Sequence, residues 1–195
     1  MTTNTASKKN PNILILPPAL GSYANIFVAR EIEGSNSGPK FSVCLLWDKE
    51  EKGLAPLRAR IEAVAVAKFG PSAKSWLAQS GGKFWNPIKD GDIEKPEDPV
   101  YKGKVFMNVS SKNAPQVCDM QLQRIMSVED AYSGCTFRAQ VGLFAFDKAG
   151  KKGVSCGLNN LQVVKKGPRI DGRQDAADAF AGFTEEADEA VDPIS

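Results

Sequence analysis

Period-two alternation opens the patterned part of the chain. Over 22–30, Ala24, Ile26 and Val28 alternate with Tyr23, Asn25 and Phe27, which predicts a strand. The turn-rich GSNSGP follows at 34–39, and 40–47 resumes the alternation with Phe41, Val43, Leu45 and Trp47 on one side. Two such runs joined by a loop predict a hairpin. Over 54–69 the period changes: Leu54, Leu57, Ile61 and Val64 recur at helical spacing, Pro56 lies in the opening turn, and Gly70-Pro71 ends the run. Residues 71–103 are rich in Gly, Pro and charge, and so long a stretch in a compact domain reads as a functional loop or insertion. Strand patterning returns at 104–110, 116–122, 135–147 and 154–164, with the loop DKAGKKG at 147–153 joining the last two.

At least five strands, one main helix and long loops predict a mainly β fold. The expected form is a small β-barrel of the OB type, an OB-fold carrying a long helix-containing insertion. A β-sandwich, or an open sheet covered by a helix, is the alternative. The expected division is a flexible segment 1–20, a folded domain 21–170 and a disordered tail 171–195.

Charge sharpens this division. Of the total +2, residues 171–195 contribute −7, from eight acids against Arg173 alone, which leaves +9 for residues 1–170. A basic body seeks polyanions, and nucleic acid is the first candidate. The chain has no histidine, which excludes Ser-His and Cys-His nucleophile pairs and every histidine metal site. The four cysteines form no CxxC pair and read as buried, reduced hydrophobes, so no metal or cofactor is expected. No apolar run is long enough to span a bilayer, and the polar start lacks a signal stretch, so membrane and secretion are disfavoured.

Candidate contact residues follow from strand faces. In 104–110, Val105, Met107 and Val109 can face a core, which turns Lys104, Phe106, Asn108 and Ser110 outward. A ring between a lysine and an amide suits single-strand binding, with the ring stacking a base and the cation meeting phosphate. The competing reading packs Phe106 beneath the helix or the long loop. Arg138 is the outward candidate in 135–147, whereas Phe144 and Phe146 are expected to be buried. Tyr23 stands opposite the aliphatic set of the first strand. Lys83 and Trp85 lie in a Gly-rich loop, Lys112 follows the 104–110 strand, and Lys151 and Lys152 sit in a mobile hairpin loop. Phosphate contacts are therefore assigned to Lys83, Lys104, Lys112, Arg138, Lys151 and Lys152, and stacking to Phe106, Tyr23 and Trp85. No catalytic residue is assigned. The alternative is a metal-dependent nuclease using Asp90, Asp92 and Glu94 of DGDIE. A virion or scaffold protein with a basic face is a third reading.

Several stretches then carry a likeness: SYANIFVAR at 22–30, GPKFSVCLL at 38–46, FWNPIKDGDIEKPEDPVYKGKVFMNVSSK at 84–112, AYSGCTFRAQV at 131–141 and GKKGVSCGLNNLQV at 150–163. With the acidic end, they resemble the phage single-stranded DNA-binding proteins of the DUF2815 family. The resemblance implies an OB-fold that coats ssDNA without base specificity during phage replication and recombination, in the host cell cytoplasm. It also implies an acidic tail that competes with DNA for the groove and recruits replication proteins. From the tail's charge, weaker duplex DNA binding is expected to emerge when the tail is removed. This chain ends DEAVDPIS rather than in an aromatic residue, and Phe180 and Phe183 lie upstream.

Overall fold

The computed structural model describes residues 10–31, 38–79, 84–148, 150–173 and 176–183. The predicted strands and helix all form. β1 (Ile13–Ile15) and β2 (Ala19–Arg30) lead into β3 (Lys40–Asp48). A 3-10 turn at Lys52–Leu54 opens α1 (Ala55–Phe69), with Pro56 in its first turn and Gly70 at its C-cap (φ 80). That positive φ is cheap only for glycine. α1 buries Leu57, Ile61, Val64 and Ala65, the face its 3.6-residue spacing predicts. The short α2 (Ala73–Ala78), β4 (Phe84–Trp85), β5 (Lys89–Asp90) and α3 (Gly91–Glu94) occupy the long insertion. A 3-10 turn at Pro99–Tyr101 closes it. β6 (Lys104–Ser111), β7 (Gln116–Cys118), β8 (Thr136–Lys148) and β9 (Lys151–Lys165) complete the sheet, and α4 (Ala176–Ala179) follows.

Five strands close on themselves in the order β2-β3-β6-β9-β8 and back to β2. All neighbours are antiparallel except β6 and β9, which meet in parallel at Ser110 and Gly157. Closure leaves no bare edge within this ring. The interior holds Ile26, Val43, Leu45, Met107, Val109, Phe137, Val141 and Leu161, and α1 packs against the same core. Gly21 lies beneath the Phe137 ring, where a Cβ would collide with it. β4 runs parallel to β9 and β5 antiparallel to β6, so the insertion wedges between these two strands at their N-terminal ends.

Some boundaries differ from those expected. β1 pairs with β8, and Leu16 and Ala19 are buried, so 13–20 belongs to the folded body rather than to a flexible segment. Lys148 pairs with Lys151 and Asp147 with Lys152. Lys151 and Lys152 are thus strand residues rather than part of a mobile loop. The strand expected over 116–122 stops at Cys118, where the carboxylate of Asp119 accepts from the amides of Gln121 and Gln123 and turns the chain. No helix among the described residues is long and apolar enough to cross a membrane.

Candidate nucleic-acid interface

Strand alternation and register define the outer face of the barrel. Asn25 of β2 stands opposite Ser42 of β3, Ser42 opposite Ser110 of β6, Ser110 opposite Gly157 of β9, and Gly157 opposite Gly142 of β8. Paired residues share a face, so these five form one row running across the strands. All are half-buried and small, while the intervening Val43, Val109, Cys156 and Val141 point into the core. A Cβ on Gly157 would approach only Gly142 O at 3.8 Å and Phe144 Cε1 at 3.9 Å. Large side chains are missing along this line, so the row is the floor of a shallow groove.

One bank of the groove is basic. Arg30 stands opposite Lys40, and the β3–β6 register, with Phe41 opposite Ser111, carries Lys40 on toward Lys112. None of the three is in an ion pair among the described residues. Like charges set opposite one another on a sheet are destabilising, so this row suits a polyanion rather than the free protein. The other bank carries Asn108, exposed on β6, and Phe144, 51% exposed on β8 opposite Ser155. Further along the same face, Trp85 pairs with Gly153 and is 49% exposed, with Lys89 Nζ 4.4 Å from its ring centroid. A side chain at 153 would collide with Trp85, so glycine lets β4 lie close on β9.

Other sequence candidates fall elsewhere. Phe106 does not stand on the surface. It is 4% exposed and packs edge-on against Tyr101 at 5.0 Å, in a second cluster with Cys44 and Leu46. The alternation of β6 is as predicted, but the Pro99–Tyr101 turn covers this part of its outer face. Tyr101 donates to Cys44 Sγ (3.4 Å), and burial pushes the Cys44 thiol up to about 11 and the tyrosine hydroxyl well above its ordinary range. Lys104 is held by Asp48 at 2.8 Å, about 20 Å along β6 from Ser110 at strand rise. Lys152 reaches over the Trp76 ring at 4.3 Å, away from the groove. Lys151 is exposed at the hairpin end. Arg138 lies on the outer face of β8, but its guanidinium donates to Gln162 at 2.7 Å, beyond the Gln140–Asn160 pair. Lys83 lies outside the described residues.

Tyr23 sits in an irregularity of β2 with φ 48, and is 59% exposed. It lines a cleft of about 580 Å³ with Asn25, Arg30, Asp98 and Arg173, so the cleft meets the groove at Asn25 and the root of the acidic segment at Arg173. Asp90, Asp92 and Glu94 have structural partners. Lys49 Nζ lies 2.7 Å from both Asp90 and Asp92, Asp92 also accepts from Gly103 N, and Glu94 pairs with Lys89. The Lys49 ammonium holds the Asp92 carboxyl below its usual range. A cation site between these acids is thus already filled by an ammonium group.

Arg30, Lys40, Ser42, Gly142 and Gly157 were not singled out by sequence reasoning. Ser110 lies outward as expected. Phe144, expected to be buried, is 51% exposed because no described segment covers its end of β8, while Phe146 is half-buried. The available signal was glycine inside two strand patterns, which marks close approach of another chain or ligand.

The chain matches the model of the family described as "Enterobacter phage Enc34, ssDNA-binding protein" over residues 14–191. No curated protein matches it by sequence. Among solved structures, it resembles the single-stranded DNA-binding protein of bacteriophage Enc34 in complex with ssDNA. That likeness has a TM-score of 0.68 and 20% identity, covering 84% of this chain and 96% of the other. A second structure of the Enc34 protein gives a TM-score of 0.64 at 20% identity, covering 89% and 97%. The single-stranded DNA-binding protein gp2.5 of bacteriophage T7 gives 0.57 at 12% identity, covering 89% and 95%. A mainly β fold with one main helix is common ground with these phage proteins. With the family model spanning nearly the whole folded body, the chain belongs to the Enc34 phage single-stranded DNA-binding protein family.

Proposed function

We propose that this protein binds single-stranded DNA without sequence specificity, as a non-enzymatic coat for phage DNA replication and recombination in the host cell cytoplasm. The observation that carries the reading is the transverse groove. Its floor of small residues admits a chain, the row Arg30, Lys40 and Lys112 meets phosphates, and Phe144 and Trp85 present rings for sequence-tolerant stacking. Asn108 adds a polar contact on the aromatic bank. Tyr23 extends the path at the β2 end.

We assign the barrel to the OB type. The closed five-strand order, with β6 parallel to β9, supports this, and in OB-folds the face of the second and third strands binds oligonucleotides. β3 and β6 hold that place here. The resemblance of residues 22–30, 38–46, 84–112, 131–141 and 150–163 to the DUF2815 proteins supports the narrower kinship. The acidic segment acts as a tethered polyanion that competes for the groove, limits duplex binding and recruits replication proteins. Deleting 171–195 raises affinity for oligo-dT and for duplex, most at low salt, where the competition is least screened.

The test is a gel shift on poly-dT, a matched duplex and RNA, with and without Mg²⁺, reading both retardation and cleavage. Retardation of poly-dT without cleavage is the expected result. No retardation at low salt overturns the proposal, and Mg²⁺-dependent cleavage that is lost in Asp90→Asn with Asp92→Asn establishes the nuclease alternative.

A further inference from the structure

Away from the groove, the chain between β7 and β8 exposes Met120 (48%), Leu122 (75%) and Met126 (74%). This apolar knob is held in place. Asp119 accepts from the amides of Gln121 and Gln123, Ile125 N donates to Val117 O at 2.8 Å, and Gln162 Nε2 donates to Asp119 O at 3.2 Å. Leu122 has φ 64, a conformation costly for a leucine. Met120, Ile125 and Met126 wall a cleft of about 780 Å³ against Val163. Its two acids are occupied, Asp119 by backbone amides and Asp130 by Lys166 at 2.7 Å. Arg124 and Lys165, exposed at the rim, have no ion-pair partner among the described residues.

A complementary feature lies on the same chain. Phe180 and Phe183 are 64% and 76% exposed. Phe180 N donates to Ala176 O and Phe183 N to Phe180 O, so both residues follow directly on α4 in hydrogen-bonded turns. A helix this short is marginal in water without a surface to pack on. Acids flank it in sequence: Asp175 and Asp178 on one side, Glu185 and Glu186 on the other. Among the described residues, Phe183, Leu122 and Met126 are the three most exposed large apolar side chains. The turn thus offers two rings within a segment whose sequence is net acidic, and the cleft offers thioethers and positive charge that has no ion-pair partner among the described residues.

We propose that the Phe180–Phe183 turn of one copy docks in the Met120–Met126 cleft of a second copy. The rings fill the methionine-walled cleft, which adapts to aromatic shapes, and the positive charge of Arg124 and Lys165 at its rim favours a segment of net negative sequence charge. The contact is heterologous, because cleft and turn are different surfaces, so it leads to head-to-tail chains rather than a closed dimer. It does not depend on the DNA groove.

The test uses the full-length protein without DNA, by sedimentation velocity over a concentration series. Wild type is expected to show a progressive series of species. Phe180→Ser with Phe183→Ser, and separately Met126→Glu, should each weaken self-association by at least about tenfold, with melting curves unchanged because these positions are exposed. Mixing the two variants restores one intact cleft and one intact turn, so a heterodimer that grows no further is expected. Should Met126→Glu alter the melting curve, Met120→Glu serves in its place. A wild type that stays monomeric throughout overturns the proposal. So does a monomer whose methionine methyl resonances shift on Phe180→Ser, since the turn would then dock within its own chain. Self-association that survives both variants also overturns it.

Discussion

The outer face of the β3–β6 pair divides into two regions. At one end, Cys44, Leu46 and Phe106 lie beneath Tyr101 and Val100. At the other, Ser42 and Ser110 continue into Gly157 and lie open, between a basic row and Asn108 with Phe144. The strands and their alternation are the same, and only the cover differs. Where the insertion folds back, the outward positions are apolar and their burial stabilises the protein. Where no described segment crosses, they are small or polar and leave room for a ligand. The face on which a side chain lies therefore does not settle its role, because a second layer decides whether that face meets solvent.

The largest break in this comparison is Phe106→Ala. Removing a buried ring from the covered end should cost about 3–5 kcal/mol of stability, read as a lower denaturation midpoint. Well below the melting temperature, ssDNA affinity per folded molecule should stay close to wild type. A large affinity loss at unchanged stability would place Phe106 in the binding surface.

Phe144→Ala is the counterpart at the open end. It should weaken oligo-dT binding by roughly 1–3 kcal/mol if the ring stacks a base, with an unchanged melt. Fluorescence anisotropy and a thermal melt on the same sample separate this from the Phe106 result. A destabilised protein with normal binding would reverse the assignment of the two ends.

Lys40→Gln with Lys112→Gln sharpens the contrast further. Binding should weaken, and the log–log salt slope, expected at roughly −3 to −4 for about four to six phosphates, should become shallower by about two. Relief of like-charge repulsion should raise stability by a few tenths of a kcal/mol, up to about 1. An unchanged slope would remove this row from the phosphate path.

The smallest effect concerns the thiols. Burial raises the Cys44 thiol to about 11 and the Cys156 thiol to about 12, so at pH 8 both are almost wholly protonated and shielded. Half-exposed Cys118 should be the first to react with a maleimide in native protein. Early labelling of Cys44 would show that the Tyr101 cover opens readily.

Period-two alternation over 22–30, 40–47, 104–110 and 135–147, and helical spacing over 54–69, were enough to place the main strands and α1, because each period reports one buried face. The split between a +9 body and a −7 segment pointed to a polyanion ligand. Local sequence could not show what crosses a face from elsewhere in the chain. Phe106 is buried because Tyr101, five residues earlier, folds back over it, and Phe144 is exposed because nothing among the described residues covers it. Arg30, Lys40 and Lys112 form a bank only because strand register aligns β2, β3 and β6, and Gly142 and Gly157 become a floor only when β8, β9 and β6 close the barrel. Periodicity is set within a strand, whereas cover, register and closure depend on contacts between residues far apart in the chain, and these decided the groove.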